Sequence, residues 1–145
     1  MQCRSSEPRD FYENRRADTG NRKDFTMTRV EFRKRAFQFG IRCIRLAESL
    51  PNSPIAQTIT RQLIRAATSV GANYRAAIRS RSRADFVSKM GIVEEECDEA
   101  FYWIEVILEL GFVAEKRTKE LLGEANEILA TTVSSIKSAG GGKKA

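Results

Sequence analysis

The chain has 145 residues, with 25 Lys and Arg against 19 Asp and Glu, no histidine, and a net charge of +6. This length favours one domain with its own core, and the lack of histidine removes the commonest general base and metal ligand. We therefore expect no enzyme, no metal site and no cofactor. Because no run of about 20 apolar residues and no apolar signal core occurs, we expect a cytoplasmic protein without a membrane span.

Both ends of the chain have the composition of flexible segments. Residues 1–26 are polar and charged, lack helical periodicity, and contain the helix breakers Pro8 and Gly20. This pattern predicts a disordered N-terminal tail. Residues 139–145, with three successive glycines and two lysines, predict a flexible basic C-terminal tail. The folded domain is expected over residues 27–138.

The first two helices are predicted from caps and apolar stripes. Thr28 and Glu31 have the spacing of a capping box, and Pro51 ends the first helix. Its apolar positions recur at steps of four and three, as expected for one buried helix face. Ser53 is a candidate cap for the second helix, with Pro54 at its first position. The two stripes are Phe32, Ala36, Phe39, Cys43, Leu46 and Leu50, then Ile59, Leu63, Ala66, Val70, Asn73 and Ala77.

Two further helices follow the serine- and arginine-rich turn at 79–83. Ser82 is a candidate cap for the third helix, Asp85 lies in its first turn, and Gly111 is expected to end it. The fourth helix is predicted from about Thr118 to Ser138. The two stripes are Phe86, Met90, Val93, Cys97, Ala100, Ile104 and Ile107, then Leu122, Ala125, Leu129, Thr132 and Ile136.

Four helices with short connections and almost no strand signal predict an all-α fold. The expected architecture is an up-down-up-down antiparallel four-helix bundle. Two residues of the second helix suggest structural roles. Gly71 costs helix propensity, which is worthwhile where another backbone or a large aromatic side chain comes close. Asn73 falls on the apolar stripe, where a buried amide can fix the register of a bundle.

The charge of the chain is divided between two neighbouring segments. Residues 51–83 contain six arginines and no acidic residue, whereas residues 84–115 contain nine acidic residues and one lysine. Most of these arginines step by four and three along the second helix, opposite its apolar stripe, and the rest extend into the turn. We call this set the arginine row: Arg61, Arg65, Arg75, Arg79, Arg81 and Arg83. Its residues can bind successive phosphates of a nucleic acid or pair with the acidic third helix, and both alternatives stay open.

The third helix is apolar around most of its circumference over residues 101–112. One neighbouring helix cannot cover all of these side chains, so either two neighbours bury them or they form a subunit interface. The candidate interface residues are Phe101, Tyr102, Trp103, Glu105 and Glu109. Its carboxylates also raise the possibility of a di-metal site, but such bundles need a Glu-x-x-His motif that this chain lacks.

The segment from Arg65 to Phe112, RAATSVGANYRAAIRSRSRADFVSKMGIVEEECDEAFYWIEVILELGF, resembles the bacterial four-helix bundle proteins first noticed in intervening sequences of large ribosomal RNA genes. The start MTRVEFRKRAFQFGIRCIRLAESLP and the later GEANEILA are also similar, so the resemblance covers about residues 27–137. It implies a bundle assembled as a ring, typically a homopentamer, without known catalytic activity and with suspected binding of RNA or DNA. Gly71, Asn73 and Tyr74 match the family segment and are assigned structural roles. Ala76 departs from the pattern, which often has glutamate there.

Two functional hypotheses follow from these observations. In the first, the protein is a non-catalytic, oligomeric nucleic-acid-binding module, for RNA above all. A related branch of the resemblance, the accessory proteins of diversity-generating retroelements, adds a reverse transcriptase as an implied partner. In the second, the protein is a purely structural or protein-interaction homo-oligomer whose arginines serve subunit contacts.

Overall fold

The computed structural model describes residues 27–140, which form four α-helices in the predicted order. Helix α1 spans Arg29–Glu48, α2 spans Pro54–Ala77, α3 spans Arg83–Leu110 and α4 spans Glu115–Gly140. Each helix packs against two others, α1 on α2 and α4, and α3 on α2 and α4. The fold is therefore the expected all-α four-helix bundle, with α2 and α4 diagonally opposite. Residues 1–26 and 141–145, which include most of both predicted tails, lie outside the described residues.

Local capping signals define the ends of the first three helices, as the sequence predicts. At α1, Glu31 N donates to Thr28 Oγ1 at 3.2 Å and Thr28 N donates to Glu31 Oε2 at 2.8 Å, which is a complete capping box. Ser53 and Ser82 accept hydrogen bonds from backbone amides at the starts of α2 and α3. Gly111 ends α3 with φ of 65°, in the left-handed region that favours glycine.

The predicted apolar stripes of α1, α2 and α3 form the core, with three exceptions. Leu50 and Phe86 are half-buried at the ends of the bundle. Asn73 was expected to be a buried amide, and this is wrong, because it is only half-buried. Its Nδ2 donates to Ser69 O of its own helix at 2.8 Å, so its amide is bonded within one turn rather than across the core.

Helix α4 differs most from its prediction. It begins at Glu115 rather than near Thr118 and continues to Gly140, so two residues assigned to the flexible tail belong to the helix. Its core face includes residues that the predicted stripe omitted, whereas Leu129 and Ile136 are half-buried. The additional buried residues are Thr118, Leu121 and Ile128, together with Leu122, Ala125 and Thr132 from the prediction. These residues face inward because α4 packs in the groove between α1 and α3.

Two glycines allow α1 and α2 to approach closely. A Cβ atom at Gly40 would lie 3.4 Å from Ala67 O, and one at Gly71 would lie 3.5 Å from the backbone of Ala36 and Phe37. A larger side chain at either position would have to displace the backbone of the facing helix. The expectation that small residues mark a close backbone approach is confirmed here.

The described cysteines are part of this core. Cys43 and Cys97 are buried and free of disulfides, and Cys3 lies outside the described residues. Burial raises the pKa of the Cys43 thiol to about 12, so this thiol stays protonated and unreactive at neutral pH. None of the helices in residues 27–140 combines the length and apolar run that crossing a bilayer requires.

We predict that Gly71→Leu lowers the free energy of unfolding by about 1–3 kcal/mol, because the new side chain meets the backbone of α1. Gly123→Leu is the matched control, since a Cβ at this exposed helical glycine would have no neighbour within 4 Å. The control should raise the free energy of unfolding by about 0.5–1 kcal/mol through helix propensity. Urea denaturation of both variants measures this. Equal effects of the two substitutions would show that the α1–α2 approach does not depend on Gly71.

Candidate nucleic-acid interface

The arginine row lies on the outer face of α2 and the following turn. Its six members are all exposed, while Leu63 and Val70 on the opposite face of α2 are fully buried. Over the helical part, from Arg61 to Arg75, an α-helix rises by about 21 Å. The sequence prediction that the row points away from the core is confirmed.

Local carboxylates cannot neutralise the arginine row. No Asp or Glu occurs between Glu48 and Asp85, so an ionic partner has to come from another part of the chain or from another molecule. Within the described residues, Arg65 is the one member of the row that has such partners. Its guanidinium pairs with Glu96 of α3 at 3.3 Å and makes a second, closer ion pair with Glu99. Pairing with the acidic third helix is therefore confirmed for Arg65.

The ion pair perturbs the titration of Glu99. Hydrogen bonding from Arg65 lowers the pKa of the Glu99 carboxyl, and a weaker bond from Trp103 Nε1, at 3.5 Å, acts in the same direction. Partial burial opposes these effects. The pair joins α2 to α3 at the surface, where it contributes little to stability because both groups remain in contact with water.

The other five arginines of the row have no carboxylate within ion-pair distance among residues 27–140. Arg75 lies over the ring of Phe37 on α1, with its Cζ 5.7 Å from the ring centroid. This cation–π contact orients Arg75, and no carboxylate of residues 27–140 compensates its charge. Arg61, Arg79, Arg81 and Arg83 are exposed, so the row presents five guanidinium groups that have no carboxylate partner within residues 27–140.

The sequence of the chain matches a known family over most of the described residues. The family described as 23S rRNA-intervening sequence protein matches residues 28–134. This chain belongs to that family. The resemblance expected from the Arg65–Phe112 segment is thereby confirmed.

A solved relative agrees with the family assignment. A crystal structure of a protein with unknown function from the S23 ribosomal protein family of Bacteroides thetaiotaomicron VPI-5482 is 29% identical in sequence. The two structures align with a TM-score of 0.69 over 73% of this chain and 98% of that chain. No curated protein matches the chain.

In the present chain, the residues of α3 that the sequence predicted to form a subunit interface do not all lie on one surface. Phe101 is 1% exposed and packs in the core of the single bundle, so its assignment to an interface is wrong. Tyr102 is 52% exposed and stacks edge-on against Trp103, which is half-buried. Glu105 is half-buried and Glu109 is exposed. Phe101 lies in the core, where α3 packs against two neighbours, α2 and α4.

Tyr74, assigned a structural role from the resemblance, is a core residue. Its ring lies 4.3 Å from the ring of Phe32, and its hydroxyl donates to Arg29 O at 3.4 Å. Burial raises the pKa of Tyr74. In the described part of the chain, no group of three His, Cys, Asp or Glu residues is placed to hold a metal ion.

Two arginines of α1 were missed by the sequence analysis. Arg35 makes a two-pronged ion pair with Glu124 of α4, at 2.9 and 2.8 Å, which links the first and last helices. Arg29 lies over the ring of Phe86, 5.6 Å from its centroid. The sequence alone could have singled out Arg29, because a cation at the first position of a helix is unfavourable next to the helix dipole. It could not have singled out Arg35, since the partner of Arg35 is 89 residues away.

We predict that Arg65→Gln raises the pKa of Glu99 towards the ordinary glutamate value of 4.5. In the wild type the lowered pKa means that the pair stabilises the fold above about pH 4.5. This contribution disappears as the pH falls through the folded-state pKa. Carboxyl ¹³C NMR titration measures the change, and Arg61→Gln is the matched control that should leave Glu99 unaltered. An unchanged Glu99 pKa in Arg65→Gln would contradict the ion pair.

Proposed function

We propose that this protein is a non-catalytic RNA-binding module that holds the sugar-phosphate backbone of RNA on its arginine row. The observation that carries the proposal is the set of five exposed guanidinium groups without a carboxylate partner in residues 27–140. In a row used for ion pairs within residues 27–140, carboxylates would be expected to accompany each arginine. The row instead has the uncompensated charge that a polyanion requires.

The chemistry of arginine supports phosphate as the ligand. A guanidinium donates two parallel hydrogen bonds to the oxygens of one phosphate, which makes it a better match than lysine. Because α2 is a rigid helix, the backbone positions of its arginines keep fixed spacings. Contacts of this kind position a nucleic acid without reading its sequence, so affinity should be similar for different sequences.

RNA is preferred to DNA because the family is described by its connection to 23S rRNA. An accessory role towards a reverse transcriptase would use the same surface to hold the RNA of that enzyme. In a homo-oligomer each subunit would add one copy of the row, and several weak contacts would then combine into tight binding.

We predict that the double substitution Arg61→Gln and Arg79→Gln weakens binding of a structured RNA and flattens its salt dependence. The slope of log affinity against log salt should fall by about 0.7–0.9 for each phosphate that the variant no longer neutralises. Fluorescence anisotropy at several salt concentrations measures both quantities. Folding should be unaffected, because neither arginine contacts another described side chain through an ion pair or ring contact.

The matched control removes two charges from the diagonally opposite helix. Lys116 and Lys137 of α4 are exposed and make no ion pair with residues 27–140. Changing both to glutamine lowers the net charge by the same amount but leaves the arginine row intact. If the lysine and arginine variants lost affinity equally, binding would depend on net charge alone and the row would not be the interface. Unchanged affinity in the arginine variant would contradict the proposal directly.

A purely structural homo-oligomer is the second candidate, and the apolar surface of α3 favours it. Ile92 is 41% exposed, Tyr102 is 52% exposed and Leu110 is 50% exposed. Large apolar side chains at such exposure are typical of a surface that another subunit covers. In the pentamer expected from the resemblance, this face of α3 would lie at the subunit contacts. A head-to-tail contact that is repeated from subunit to subunit can close into a ring.

We predict that Tyr102→Lys combined with Leu110→Lys reduces the mass measured by light scattering, because both charges would be buried between subunits. Ile55→Lys is the control, since Ile55 is 66% exposed at the start of α2, on a different helix. A wild-type mass equal to one chain at micromolar concentration would exclude this assembly. An unchanged oligomer in the double variant would exclude this face of α3 as the contact.

A further inference from the structure

A cleft among the described residues lies at one end of the bundle, where α1 and α3 begin and α2 ends. Its volume is about 820 Å³, within the range of about 300–1,000 Å³ that is typical of small-ligand sites. All four helices contribute to its lining. It begins where the arginine row ends, because Ser80 and Ser82 of the α2–α3 turn and Arg83, the first residue of α3, form part of its wall.

Positive charge converges on this cleft from two helices. Arg29 and Arg83 are the first residues of α1 and α3, and both line the cleft. A cation at the start of a helix is repelled by the helix dipole, yet both helices have one at this end. Neither arginine forms an ion pair with residues 27–140. An anion bound between the two guanidinium groups would offset this electrostatic repulsion.

The acidic groups near the cleft leave this positive charge largely in place. Asp85, in the first turn of α3, is paired with Lys89 at 3.0 Å. Glu31, in the first turn of α1, accepts the backbone amide of Thr28 in the capping box. Glu127 is the one carboxylate in the described lining, and its charge acts on Arg35, whose pKa it helps to raise. Two guanidinium groups therefore face one carboxylate that has another cationic neighbour.

The remaining walls suit the other parts of a nucleotide. Met27, Ile78 and Phe86 are half-buried and provide an apolar wall, with the Phe86 ring held beneath the guanidinium of Arg29. Aromatic and guanidinium planes are the groups on which proteins stack bases. Ser134 and Ser138 of α4 also line the cleft, and their hydroxyls can bond to the hydroxyls of a ribose.

We propose that this cleft binds a single nucleotide, with its phosphate between Arg29 and Arg83 and its base against the apolar wall at Phe86. The nucleotide is either free in solution or the terminal nucleotide of an RNA chain whose backbone follows the arginine row. The site goes beyond RNA binding by the row, because a free nucleotide would occupy it without touching Arg61 or Arg79.

Adenosine 5′-monophosphate, ribose 5-phosphate and adenosine are the probes for this site, each titrated into the full chain by calorimetry. The nucleotide should bind about tenfold more tightly than either fragment, since each fragment lacks one set of contacts. Equal binding of ribose 5-phosphate and the nucleotide would overturn the proposal, because it would show a phosphate site without base recognition. Absence of nucleotide binding at millimolar concentration would also overturn it.

Two pairs of variants place the binding in the cleft. Arg83→Gln should weaken nucleotide binding about tenfold, whereas Arg81→Gln, two residues earlier and outside the lining, should not. Ser134→Trp should block the cleft without changing the charge, and Ser134→Ala should have a small effect. If Arg81→Gln and Arg83→Gln lost nucleotide affinity equally, the proposal would be overturned, because the nucleotide would then be attracted by the overall positive charge rather than bound in the cleft. Melting temperatures of all four variants verify folding, and each substituted residue is exposed enough to tolerate the change.

Competition separates the two sources of the nucleotide. A short RNA with a 5′-phosphate that displaces the mononucleotide identifies a chain end as the ligand, and the same RNA without the phosphate should displace it less well. If neither RNA displaces it, the ligand is a free nucleotide. The variant with Arg61→Gln and Arg79→Gln should keep its affinity for the mononucleotide. Failure of the row as an RNA interface and failure of the cleft as a nucleotide site are therefore distinguishable.

Discussion

The absence of any carboxylate between Glu48 and Asp85 determines how charge is distributed over this bundle. The arginines of helix α2 cannot be neutralised locally, so within residues 27–140 each must find a partner on a neighbouring helix or remain uncompensated. Only Arg65 reaches such a partner among the described residues, through Glu96 and Glu99 of α3. Apolar contacts dominate the packing of the four helices, with ion pairs at Arg35 and Arg65, and the arginine row on the outer face of α2 is exposed.

The close approach of α1 to α2 strengthens this arrangement. Because Gly40 and Gly71 bring the two backbones together, Phe37 of α1 lies beside Arg75 of α2 and orients its guanidinium. The small residues of α2 and its basic face thus have separate roles on one helix. The small residues bring α1 close to α2, and the basic face presents charge on the side that α1 and α3 do not cover.

The sequence predicted the elements that depend on local signals. Capping residues, the left-handed glycine at the end of α3 and the stripes of α1 to α3 act within a few residues, so they can be recognised without the structure. The burial of Phe101 and the inward face of α4 were predicted wrongly. Over residues 101–112, helix α3 is apolar around most of its circumference, and its buried positions depend on the two helices that flank it. Asn73 was misjudged for a related reason, since a position at the edge of a stripe can bond within its own helix.

The candidate sites also differ in how far the sequence predicts them. The exposure of the arginine row follows from its periodicity against the apolar stripe of α2, and the sequence predicted it. The partner of Arg65 could not be chosen in advance, because several carboxylates of α3 lie within a few turns of one another. The cleft was not predicted at all, since residues from all four helices come together only when the chain folds.

The most direct test of the account is NMR observation of the arginine side-chain Nε–Hε groups while structured RNA is added. The account predicts that signals of Arg61, Arg79 and Arg81 shift most, because their guanidinium groups have no carboxylate partner in the described structure. The Arg35 signal should stay unchanged, since its two-pronged pair with Glu124 lies away from α2. Shifts confined to Arg35 and other arginines outside the row, or no shifts at RNA concentrations that saturate binding, would contradict it.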